Sequence, residues 1–143
     1  MRYSKKHHNG ITYQPLRRFR LFRNKYKLLV QYSTQTKILG YNIDTCYIKL
    51  TPDGILTLRV GYEWDGPSGI SVDTENFMRG SLGHDPGYKL LRLGLLPYWA
   101  KAEFDSKLFK DCRKDGMSKF RASYVFKAVN KHGDSSALPD VDL

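Results

Sequence analysis

The alternation of apolar and polar positions changes its rhythm halfway along the chain. Up to about residue 60 the rhythm has a period of two, the spacing of side chains on a half-buried strand. Residues 11–16 alternate weakly, and residues 17–22 (RRFRLF) set Phe19 and Leu21 between basic positions. Residues 26–32 place Leu28, Val30 and Tyr32 in phase and predict one strand. Residues 45–50 and 55–60 predict a hairpin, because Thr51-Pro52-Asp53-Gly54 lies between them. Proline presets φ for such a turn, aspartate bonds the local backbone and glycine accepts positive φ. Residues 1–10 are polar and read as a flexible basic arm.

Residues 61–73 (GYEWDGPSGISVD) have no period at all and read as a structured Gly-rich loop. Beyond it the apolar spacing becomes helical. Asp73 or Thr74 offers an N-cap, and Phe77, Leu82, Tyr88, Leu90 and Leu91 share a rough face up to Gly94. Residues 98–114 carry Phe104, Leu108 and Cys112 at i, i+4 and i+8, and Asp115-Gly116 ends that helix. Residues 118–131 turn Ala122, Val125, Phe126 and Val129 inward. Strands followed by helices predict an α+β fold, an antiparallel sheet with hairpins, then a three-helix half. A single domain over residues 1–133 and a disordered acidic tail over 134–143 complete this reading.

Charge adds a statement about partners. Lys and Arg number 24 against 14 Asp and Glu, a formal net charge of +10, with much of the excess before Lys49. Such a balance favours nucleic acid, an acidic surface or an acidic protein. Arg17, Arg18, Arg20 and Arg23, interleaved with aromatics, are the candidate contacts for a nucleic acid or acidic partner. Cys46 and Cys112 form no CxxC pair and read as buried small hydrophobes in a reducing compartment. No apolar run approaches a membrane span, and no signal peptide is expected, which points to the cytoplasm of a host cell or a virion.

The phosphate-loop, GxSxG, HExxH and dinucleotide-binding motifs are all absent. What remains is Gly83-His84-Asp85-Pro86-Gly87-Tyr88 after the Gly-rich loop. A histidine beside carboxylates can serve as a general base near neutral pH. A short connection between the first two helices makes them antiparallel neighbours, so Asp105 is placed to orient His84, and Tyr88, one turn on, to bond the same acid. The same residues equally describe a satisfied polar network tying two helices together. Pro86 implies that the helix begins near Asp85 or kinks there. Arg79, Arg92 and Arg121 read as solvent-facing.

The segments GYEWDGPSG, NFMRGSLGHDPGY, AEFDSKL, DGM and FRASYVFKAV, over residues 57–133, resemble the family termed domain of unknown function 1353. The resemblance implies a phage or prophage protein, with other phage proteins as partners, and no established activity. Pro86-Gly87 after the His-Asp pair, and Leu108 where phenylalanine is expected, depart from the pattern. The His-Asp-x-x-Tyr helix also resembles, locally, that of secreted phospholipases A2, whose loop and Asp after the His hold calcium. That resemblance implies an ion- or substrate-binding set of Asp85 with Trp64, Asp65, Gly66 and Ser68, calcium being the ion, although the phospholipases' disulfides are missing and the loop spacing differs. Three readings stand side by side: a small hydrolase with a His84/Asp105 base, a non-catalytic virion or accessory protein, and a nucleic-acid binder.

Overall fold

The computed structural model describes residues 5–16, 26–66 and 74–132. Within them the chain forms β1 (Lys6–His8), β2 (Ile11–Pro15), β3 (Tyr26–Leu28), β4 (Tyr32–Gln35), β5 (Ile43–Asp44), β6 (Ile48–Leu50), β7 (Ile55–Leu58) and β8 (Glu63–Trp64). Three helices follow: α1 (Glu75–Arg92), α2 (Ala100–Lys114) and α3 (Lys119–His132). The fold is α+β, with antiparallel sheets first and helices second. There are two four-stranded sheets, ordered β1-β2-β3-β8 and β4-β7-β6-β5.

The arm expected to be loose contains β1, which pairs with β2 from Lys6 opposite Tyr13 to His8 opposite Ile11. The cause is local. Asn9 and Gly10 form the two-residue turn, both with positive φ (54° and 80°), the conformation that matches the twist of flanking strands. His7 and His8 then bond the Thr12 and Tyr13 hydroxyls at 2.6 and 2.5 Å.

The strand expected over residues 26–32 is two strands in different sheets. Leu28 is fully buried, but Val30 is 53% exposed, so the alternation breaks where the chain passes between sheets. Residues 59–62 make the return crossing, with Leu28 N–H bonding Tyr62 O and Gly61 N–H bonding Leu28 O, both at 2.8 Å. The Pro-Asp-Gly turn forms as read: Gly54 N–H bonds Thr51 O at 2.9 Å, and β6 pairs with β7 from Leu50 opposite Leu56. Gly54 has φ +87°, and a Cβ there would stand 2.7 Å from Thr36 O.

The main core joins both sheets to α1 and α2 through Leu28, Leu50, Leu56, Leu58, Trp64, Leu82, Leu90 and Phe104. A second cluster, with Phe77, Leu108, Cys112, Met117 and Val125, seals α3 against the helix pair. Cys112 is buried, whereas Cys46 is exposed, against expectation. Helix α1 runs from Glu75 to Arg92 with Pro86 inside it, so it does not start at Asp85. The explanation for Pro86-Gly87 lies across the interface. A Cβ at Gly87 would stand 2.5 Å from the buried Phe104 ring, so glycine lets α2 close on α1. Gly94, with φ +72°, ends α1, where Leu95 N–H bonds back to Leu90 O at 3.0 Å.

Candidate functional site

Helix period and a short α1–α2 connection bring together three residues distant in sequence. His84 Nε2 lies 2.7 Å from Asp105 Oδ1, and the Tyr88 hydroxyl donates to the same oxygen at 2.7 Å. The ring centroids of His84 and Tyr88 are 4.2 Å apart. Asp105 is fully buried, and a third donor reaches it: Lys101 Nζ bonds Oδ2 at 2.8 Å. Lys101 lies one turn before Asp105 on α2, a pairing visible as an i, i+4 spacing yet absent from the sequence reading.

These contacts fix protonation states. Burial opposes ionisation of Asp105, but hydrogen bonds from His84, Lys101 and Tyr88 outweigh it, and the carboxyl titrates below its ordinary 3.8. An ionised carboxylate only accepts, so the proton between it and His84 belongs to Nε2. In the neutral ring Nδ1 then carries the lone pair. It has no hydrogen-bond partner among the described residues, and the side chain keeps 13% of its surface exposed.

Asp85, the next residue, points elsewhere. Its Oδ2 accepts from the Tyr62 hydroxyl and lies 3.4 Å from Lys89 Nζ. Lys89 also stands 4.5 Å above the Tyr62 ring. Burial first, then the charge of Asp85, holds the Tyr62 phenol well above its ordinary value of 10.0, so it remains a donor. The nearby charge of Asp65 acts on Tyr62 in the same sense.

Asp85 is thus engaged by Tyr62 and Lys89, and residues 67–73 of the loop expected to complete an ion site lie outside the described residues. A cation of the protein's own already neutralises that carboxylate. Among the described residues no three His, Cys, Asp or Glu side chains converge as metal ligands.

Trp64 does not serve as a ligand platform either. It is fully buried, packed among Tyr13, Tyr26 and Tyr62, and donates from Nε1 to Ser81 Oγ at 3.0 Å. Gly66 has φ +73° and lies against the Tyr26 ring, where a Cβ would be 2.7 Å away. Ser68, Arg17, Arg18, Arg20 and Arg23 lie outside the described residues.

A second polar cluster went unread. Arg79, expected in solvent, is bound by Asp115 at 2.9 Å, by Asp111 at 3.4 Å and by the Tyr32 hydroxyl at 3.3 Å. It ties α1 to the end of α2 and to β4. Burial opposes its charge, and these acceptors more than compensate. Arg121 likewise bonds Thr74 and Asn76, clamping α3 to the start of α1. The detectable signal was the i, i+4 spacing of Asp111 and Asp115, which sets two acids on one face of α2.

No protein-family model, curated protein or solved structure matches the chain. Among the described residues no helix is long and apolar enough to cross a membrane.

Proposed function

We propose that the chain is a small hydrolase in which His84 Nδ1 takes the proton from an attacking water. The carrying observation is the contact: Asp105 Oδ1 stands 2.7 Å from Nε2 of a His84 side chain that is 13% exposed, which assigns the ring proton to Nε2 and, in the neutral ring, the lone pair to Nδ1. Proton transfer to Nδ1 creates an imidazolium, and the buried carboxylate 2.7 Å away stabilises it. Tyr88 and Lys101 hold that carboxylate in place, so both are positioning residues. No calcium step enters, since Asp85 is engaged by Tyr62 and Lys89. The resemblance to the domain of unknown function 1353 family supports a phage or prophage setting, where such an enzyme works in the host cytoplasm or is carried by the virion.

The test is hydrolysis of a carboxylic ester such as p-nitrophenyl butyrate by the native chain and by His84→Gln, which keeps a side-chain N–H for Asp105. The rate should fall by about 10²–10⁴ while the thermal midpoint is retained. Equal rates in the two proteins would refute the reading, and EDTA should have no effect.

Lys101 favours a second reading, a closed structural network in a non-catalytic accessory protein. Its ammonium shares the Asp105 charge and so reduces the field at His84. Under that reading His84→Gln lowers stability and changes no rate.

A further inference from the structure

On the other face of α2 lies a groove of about 610 Å³, closed on its far side by Gln35 at the end of β4 and by residues 36–38 after it. Its lining contains none of His84, Tyr88, Lys101 and Asp105, so a ligand held there is independent of the hydrolase reading. The floor is apolar: half-buried Phe109 supplies its accessible surface, backed by the buried Ile38 and Phe104. The rim is cationic. Lys37, Lys110 and Lys114 are exposed and make no ion pair or hydrogen bond among the described residues. Lys107 is committed to Asp111 at 2.9 Å, and Asp111 is shared with Arg79, so this one of the groove's two acids is already neutralised.

The charges are ordered along the helix. Glu103, Lys107, Lys110 and Lys114 follow one face at spacings of four, three and four. At 1.5 Å per residue the face runs roughly 16 Å from an acceptor end to a cationic end. Glu103 has no hydrogen-bond partner among the described residues. An acidic peptide would meet that carboxylate with like charge. A nucleotide matches both ends, with phosphates to the lysines, a flat base on the apolar floor and an exocyclic amino group donating to Glu103. The volume falls within the range of small-ligand sites.

We propose that this groove binds an amino-bearing nucleotide, free or as one unit of a single strand. Lys110 and Lys114 hold its phosphate, and Glu103 selects its base. The experiment is an amide NMR titration of the ¹⁵N-labelled chain with AMP, UMP, inorganic phosphate and the tetranucleotide (dA)₄.

AMP should shift amides of Lys37, Ile38 and the Glu103 to Lys114 face, and should bind more tightly than UMP or phosphate. Lys110→Glu with Lys114→Glu should weaken AMP binding by about tenfold or more and flatten its salt dependence. Both residues are exposed, so an unchanged thermal midpoint will certify the variant's fold. Glu103→Ala should remove the preference for AMP over UMP. Tighter binding of (dA)₄ than of AMP identifies a strand as the source, and equal affinity identifies the free nucleotide. No shifts, shifts centred outside the groove, or phosphate binding as tightly as AMP would overturn the proposal.

Discussion

Replacing Asp105 by Asn keeps the shape of the side chain and removes its charge. Lys101, with its side chain 5% exposed, then keeps a buried ammonium without the carboxylate 2.8 Å away. The new amide also presents N–H groups where three donors converge. Removing one member of a buried ion pair typically costs about 3–5 kcal/mol, because the remaining charge cannot regain water. With a urea m-value of about 2 kcal/mol/M, a loss of about 4 kcal/mol lowers the unfolding midpoint by about 2 M. Lys101→Met should cost about 3 kcal/mol. The double variant should lose less than the sum of the two, by about 1–3 kcal/mol, because each single change strands the other's partner. A loss below about 1 kcal/mol for Asp105→Asn, or strict additivity, would show that the network is not the buried unit described above.

Three further outcomes are expected from the packing and the electrostatics. Gly87→Ala should destabilise by about 1–2 kcal/mol, since overpacking against Phe104 exceeds the gain in helix propensity, whereas Gly83→Ala, whose Cβ meets nothing closer than 3.7 Å, should stabilise by up to about 1 kcal/mol; urea titration distinguishes them. Because the folded pKa of Asp105 is depressed, its stabilisation is complete above 3.8, the ordinary value, and is lost as pH falls below it, so the gap between the native chain and Asp105→Asn should close in acid. A thiol reagent at pH 8 should titrate exposed Cys46 alone in the native chain and both cysteines in urea, since burial and the charges of Asp111 and Asp115 push the Cys112 thiol up to about 12.

Local chemistry was the most legible part of this sequence. The Thr51-Pro52-Asp53-Gly54 turn, the glycine that ends each of the first two helices, and the inward faces of α1 and α2 come from signals spanning a few residues. The proximity of His84 and Asp105 was legible because a short connection leaves two consecutive helices few ways to pack. Non-local events were hidden. The passage of residues 29–31 from one sheet to the other interrupts an alternation that continues on paper, so Val30 reads as buried and is exposed. The Asn9-Gly10 turn was present but masked by a run of polar residues, which disguised β1 as an arm. Lys101 and Arg79 were missed because the i, i+4 spacings that mark them occur equally on solvated helix faces, and only packing decides which of those faces is covered. The calcium reading of Asp85 came from a local resemblance, and the sequence held no sign of its neighbours in space, Tyr62 and Lys89.

The tautomer of His84 tests the proposed base most directly. Long-range ¹H–¹⁵N correlation of the histidine side chains at pH 8 separates an N–H nitrogen from one bearing a lone pair. The Nε2–H form is expected for His84 in the native chain, with loss of that preference in Asp105→Asn. A Nδ1–H form in the native chain, or a pattern indifferent to Asp105, would contradict the claim that Asp105 sets His84 as a base.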